Sequence, residues 1–137
     1  MTDTFEFDQR QSRSHENSQK HGFWDDVPQD EAAYLAYLGN KIMLTVGELV
    51  EAHDEIRAGK GPGEIYYPTN PENHFEGRNG ELHKPEGMLV ELADAIIRIE
   101  DLAEYISRRN NAPTLAEIIN RKHKYNRSRG YKHNKKF

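Results

Sequence analysis

Read by the spacing of its apolar residues, the chain divides into helical stretches separated by turn-rich ones. The longest helical period runs from about Asp30 to Ala58, with room for a bend near Gly39 or Gly47, and stops at Gly59. A second runs from about Pro85 to Arg109. A third starts at "PTLAE", where Thr114 and Glu117 form a capping-box pair, and continues to about Tyr125. Residues 8–20 carry a weaker helical signal, because Phe5 and Phe7 are the only large apolar side chains in the first twenty positions. "HGFWDDVPQD" then interrupts the pattern with Gly22 and Pro28. Between the two long helices, residues 59–87 carry Gly and Pro throughout and no sustained period, the signature of a functional or mobile connection. No Val/Ile/Thr-rich alternation calls for a sheet, and no internal repeat is present. The expectation is an all-α single domain over residues 1–137, a helical bundle of about four to five helices. Residues 1–20 would be weakly structured, 59–87 a long loop and 126–137 a basic tail.

The same periodicity places the acids. On a helical wheel with Glu48 at 0°, Glu51 falls at about 300° and Glu55 at about 340°. Ile42, Val46, Leu49, His53 and Ile56 fall between about 80° and 160°, so on this helix alone the acids lie opposite the apolar stripe. Leu44 is the exception, within the acidic stripe. In "VELADAIIRIEDLAEYI", with Glu91 at 0°, Asp94 falls at about 300° and apolar residues flank the pair on both sides. A helix apolar nearly all round is expected to be buried nearly all round.

Composition narrows the class. The 137 residues are 35% hydrophobic and 31% charged, enough for one lean core that oligomerisation would complete. The absence of cysteine excludes disulfides and thiolate metal sites. The first residues hold no apolar leader segment, and no run reaches the length of a membrane span, so the expectation is a cytoplasmic protein without a membrane partner. Eight of the 19 Lys/Arg lie between Arg121 and Phe137, where there is no acid, so 11 basic residues face all 23 acidic ones in the remainder. An acidic body with a basic tail points to internal complementarity or a shared anionic ligand more than to nucleic acid.

Two helices thus each carry an acid pair at i, i+3, Glu48 with Glu51 and Glu91 with Asp94. A single such pair is usually a solvated surface feature. Packed antiparallel, the two helices would gather four carboxylates, and a buried carboxylate needs a cation or hydrogen-bond donors. Oxygen-only ligation suits Mg²⁺, with Mn²⁺ as a second choice. Neither pair has the Glu-x-x-His form of di-iron bundles, which disfavours redox chemistry.

"GELVEAHDEIRAG", "HKPEGMLVELADAIIRIEDLAEY" and "RKHKYNRSRGYKHNKKF", together with "GFW" at 22–24, resemble the MazG-like nucleotide pyrophosphohydrolases of the all-α NTP pyrophosphatase superfamily, chiefly its small phage and bacterial members. The likeness spans about residues 21–135. It implies Mg²⁺-dependent hydrolysis of nucleoside or deoxynucleoside triphosphates to monophosphate and pyrophosphate, in a homodimer or homotetramer of helical bundles. It further implies that Glu48, Glu51, Glu91 and Asp94 hold the metal, with Glu48 or Glu51 taking the proton of the attacking water. The chain departs from the family pattern at Gly47, where a second acid is common, and in the length of the 59–87 segment, which looks like an insertion over the site.

For the phosphate chain the candidates are Lys122, Asn126, Arg129 and Lys132, weighed against a solvated tail. Trp24 is a candidate for stacking on a nucleobase, weighed against capping the core. Tyr66 and Tyr67 in the long loop suit a lid or an oligomer contact, and no histidine spacing suggests zinc. The alternatives to the enzyme are a catalytically inactive helical module binding nucleotides or a protein partner, and a nucleic-acid binder using the basic tail.

Overall fold

The computed structural model describes residues 4–130. Four helices follow in order: α1 (Phe5–Lys20), α2 (Glu31–Arg57), α3 (Met88–Asn110) and α4 (Leu115–Ser128). No strand forms among the described residues, in agreement with the all-α expectation. Local chemistry sets the boundaries. Asp30 caps α2 by accepting a hydrogen bond from the Ala33 N–H at 2.9 Å. Thr114 caps α4 in the same way, accepting from the Glu117 N–H at 3.4 Å. α1 begins three residues earlier than its weak signal suggested, and α4 runs three residues past Tyr125.

The chain forms two compact units. One contains α1, α4 and α3 from Glu100 onward; the other is Val27–Ile99. In the first, the interior is polar. Gln11 and His15 of α1 are fully buried, as is Glu100 of α3. Glu100 accepts from Arg10 Nε at 2.6 Å and from the Ser14 hydroxyl at 3.1 Å. Gln11 donates to Glu104 at 3.0 Å and accepts from the Leu115 N–H at 3.3 Å. Trp24 donates its indole N–H to Asp101 at 2.8 Å, and His15 Nδ1 lies 2.8 Å from the same oxygen. Buried polar groups are tolerated when partnered in this way. This explains the weak helical signal of α1, which points Gln and His inward where a periodicity search looks for leucine.

In the Val27–Ile99 unit, the buried face of α2 is not its apolar stripe. Thr45 and Ala52 are buried, with Glu48 between them and largely covered, while Ile42, Val46, Leu49 and Ile56 are exposed, Leu49 at 48%. On α3, Glu91 and Ala95 are buried, but Ile96 and Ile97 are each 49% exposed. Two expectations are therefore corrected: the apolar stripe of α2 faces outward while Glu48 turns inward and Glu51 stays exposed, and α3 is not buried all round. The reason is supply. Within this unit the acids find hydrogen-bond partners on α3 and on the 59–87 segment, and too little chain is left to cover the stripes.

The 59–87 segment is held by its own bonds. Tyr66 and Glu86 pair antiparallel, with N–H···O distances of 3.1 and 2.9 Å. The Gly77 N–H donates to the Glu81 carbonyl and the His83 N–H to the Phe75 carbonyl, both at 2.8 Å, closing a small hairpin. The Asn73 side chain accepts from the Tyr67 N–H at 2.6 Å. The segment joins α3 at Gly87, whose φ is 138° and whose missing Cβ would run into the Glu64 carbonyl oxygen. "KPEG" is thus a backbone requirement as well as a motif. Gly87→Ala is expected to lower the unfolding free energy by about 2 kcal/mol or more, from strain and overlap together, and urea titration checks it. Unchanged stability would mean that the turn into α3 can relax.

Candidate functional site

Glu48 and Glu51 lie one turn apart on α2, and Glu91 and Asp94 one turn apart on the first turns of α3. One carboxylate oxygen each from Glu48, Glu91 and Asp94 lie within 4.8 Å of one another, a spacing that a single cation can bridge. Glu51, one turn from Glu48 on α2, lies close enough to act on both Glu91 and Glu48. The structure therefore gathers all four acids singled out in the sequence. Glu91 is the innermost, 5% exposed, and the α3 backbone fixes it through its N–H bond to the Gly87 carbonyl at 3.1 Å.

Like charges at this range cannot all remain ionised without compensation. Burial first, then the proton Glu91 shares with Glu51 and Glu48 and the charges of Glu51 and Asp94, push the Glu91 carboxyl up to about 8. Burial and the Glu48 charge also raise Asp94. Burial pulls Glu48 upward too, but the hydrogen bond and charge of Arg98, with the neighbouring Glu91 and Glu51, outweigh it, so Glu48 ends below its ordinary value. Arg98 Nε donates to Glu48 at 2.7 Å. The cluster thus contains an ionised carboxylate, a proton-retaining one and a guanidinium in contact with the first.

A second group of carboxylates shares Glu91. Oxygens of Glu55, Glu86 and Glu91 also lie within 4.8 Å of one another. The Tyr66 hydroxyl donates to Glu55, 2.8 and 2.9 Å from its two oxygens, and this bond pushes the phenol up to about 12. Lys84 Nζ lies 3.3 Å from Glu86, whose carboxylate raises the lysine. Arg98, Lys84 and Glu86 are not among the residues that the sequence motifs single out. Arg98 carried a usable signal: it sits four residues after Asp94, on the same face one turn on. Lys84 and Glu86 lie in a loop, where spacing predicts no direction. Tyr66, left between lid and oligomer contact, reaches an acid one turn beyond Glu51.

The phosphate candidates belong to the other unit. Lys122 Nζ on α4 lies 5.2 Å from the centre of the Tyr125 ring, and the guanidinium of Arg129, just past the helix end, 5.0 Å from it. Arg129 Nη2 donates to the Asn126 side-chain oxygen at 2.6 Å, while its buried Nε has no hydrogen-bond partner among the described residues. Lys132 lies outside the described residues. Trp24 is 9% exposed, stacked on Tyr105 at 4.1 Å and bonded to Asp101, a packing placement that leaves little ring face for a base. Among the described residues no helix is long and apolar enough to cross a membrane.

The donor set is all oxygen and mostly carboxylate, which fits a hard divalent cation and offers nothing to a soft one. No family model, curated protein or solved structure matches this chain.

The raised carboxyl has a consequence for stability without metal. A folded-state value near 8 against an ordinary 4.5 means that the folded chain holds a proton the unfolded chain has lost. Glu91 therefore costs no stability at pH 4, and stability falls as pH rises from about 4.5 to about 8, then levels off. Asp94, also raised, acts in the same direction, whereas the lowered Glu48 acts oppositely and only at lower pH. The other charges around Glu91 are Glu51 and Glu55 on α2, Arg98 on α3, and Lys84 and Glu86 on the loop. In chelator, the melting temperature is expected to drop between pH 5 and 8, and Glu91→Gln to flatten that slope. A slope that survives the substitution would place the retained proton elsewhere.

Proposed function

We propose that this protein is a Mg²⁺-dependent pyrophosphohydrolase of nucleoside or deoxynucleoside triphosphates, releasing monophosphate and pyrophosphate. The observation that carries the proposal is the convergence of Glu48, Glu91 and Asp94 within 4.8 Å, with Glu51 beside them, around a carboxyl that holds its proton. A cluster in that state is under-neutralised, and a divalent cation is the ligand that would displace the proton and satisfy the rest. The motif resemblance to the MazG-like pyrophosphohydrolases supports the same reading from a different direction.

In this reading Glu48, Glu51, Glu91 and Asp94 hold the metal. Bound there, the cation would supply positive charge for phosphoryl oxygens and acidify a water. The protein's own part is positional. α2 and α3 hold the acids rigid, Gly87 sets the start of α3, and Tyr66 fixes Glu55 at the edge of the group. Glu48, already ionised, and Glu51, the more exposed of the α2 pair, are the groups available to accept the water's proton. Lys122, Asn126, Arg129 and Lys132 are proposed to bind the phosphate chain, and the unused Nε–H of Arg129 is consistent with an anionic partner. Trp24 is left to packing.

The proposal includes a homodimer or homotetramer, because the exposed stripes of α2 and α3 are too extensive for an isolated chain. The setting proposed is the cytoplasm, with no nucleic-acid partner.

Two measurements test this. Each of the eight (d)NTPs is incubated with the protein and Mg²⁺ or Mn²⁺ and assayed for pyrophosphate; at least one is expected to turn over, and Glu91→Gln to reduce the rate at least about 100-fold. No turnover of any nucleotide would overturn the enzyme reading, and nucleotide binding without turnover would leave an inactive binding module in its place. Light scattering is expected to give a multiple of the 15.9 kDa chain mass, with Leu49→Glu shifting the population toward monomer. A monomeric parent would remove the oligomer from the proposal.

A further inference from the structure

Arg98 is the one cation of the described residues in direct hydrogen-bond contact with Glu48. Its Nε–Glu48 bond of 2.7 Å links α3 to α2 across fifty positions of sequence. One turn earlier on the same helix stands Asp94, which the Arg98 charge also draws down. The guanidinium side chain is 43% exposed and Glu48 only 13%, so Arg98 reaches inward from the rim and can leave without opening the interior. The bond to Glu48 uses Nε and not the outer Nη pair, the fork that matches carboxylate and phosphate oxygens.

A positive charge at this position opposes a second cation at the same carboxylates. Without a metal, the guanidinium supplies the positive charge in contact with Glu48, beside three other acids. With one, it is redundant on Glu48 and repelled. Arg98 is then a free guanidinium at the rim of a site whose substrate brings several anionic oxygens.

We propose that Arg98 is the cluster's built-in counter-cation, released from Glu48 when a divalent cation occupies the carboxylates and transferred to a phosphate oxygen of the substrate. This rests on the metal-centre reading given above. It adds a positioning and binding residue that couples metal loading to phosphate capture, so that the anion-binding arm is set free only once the site is charged.

The two roles predict opposite effects of one substitution. Mn²⁺ binding is followed by electron paramagnetic resonance without nucleotide, and binding of inorganic tripolyphosphate by calorimetry in saturating Mn²⁺. Arg98→Gln is expected to bind Mn²⁺ about three- to tenfold more tightly, the range of one ion pair to a carboxylate, and tripolyphosphate about tenfold more weakly. Arg98→Lys, which keeps the charge without the fork, is expected to leave Mn²⁺ binding near the parent level and still weaken tripolyphosphate binding. Melting curves confirm that the variants fold, and the lysine variant serves if the glutamine one does not. Weaker or unchanged Mn²⁺ binding in Arg98→Gln overturns the counter-cation role, and unchanged tripolyphosphate binding overturns the transfer. If the parent binds no Mn²⁺ that Glu48→Gln abolishes, the metal reading fails and the proposal with it; if it does, the Arg98 result stands or falls alone.

Discussion

Carboxylates packed against one another repel, and the unit built from α2, the long loop and the start of α3 is organised around that repulsion. Two unit charges about 4 Å apart cost about 4 kcal/mol at the effective dielectric of a protein surface. A cluster of Glu48, Glu51, Glu91 and Asp94 therefore forms only if each negative charge is cancelled, shared or left unformed. The structure uses all three means. Arg98 partners Glu48, the acids hydrogen-bond among themselves, and Glu91 retains its proton. At the edge, the Tyr66 hydroxyl serves Glu55 and Lys84 serves Glu86. The long loop is thereby drawn into the same account, since Tyr66 and Glu86 also pair through their backbones.

That constraint sets the packing. The residues that α2 and α3 bury beside the acids are small, Thr45 and Ala52 on one helix and Ala95 on the other. Small side chains leave room for carboxyl groups to meet, and they remove little apolar surface from water. The large apolar side chains stay outside, among them Leu49, Ile96 and Ile97. A unit that spends its interior on acids must find its hydrophobic stabilisation elsewhere, and in the proposed assembly another copy supplies it. The unit containing α1 meets a related problem by another route: its buried Gln11, His15 and Glu100 are all hydrogen-bonded, so polar pairing takes the place of apolar contact.

The helices were legible in the sequence to within a few residues, because caps and periodicity are local signals: Thr114 and Glu117 announce α4, and Gly59 closes the stretch that becomes α2. The two acid pairs were legible as pairs, since i, i+3 spacing is a property of the helix itself. Their surroundings were not. Arg98 meets Glu48 across fifty residues, and Tyr66 meets Glu55 only because the loop turns back at the Glu86 bridge. Such contacts depend on the loop path, which Gly- and Pro-rich sequence leaves open. Trp24 was ambiguous for the same reason: its partners Asp101 and Tyr105 lie about eighty residues away.

The wheel of α2 misled for a more general reason. An apolar stripe marks the face that is buried in the finished particle, and it carries no label saying which chain covers it. Ile42, Val46, Leu49 and Ile56 form a well-defined stripe, yet the chain turns Thr45, Glu48 and Ala52 inward instead. Had the stripe been matched within the chain, the acids would have been left in water, and Glu91 would have had no partner to hold it on α2. The inward acids and the outward isoleucines are thus one decision. A helix whose apolar face is uncovered while part of its charged face is buried is what the proposed function requires, which would set a cation on one side and a second copy on the other.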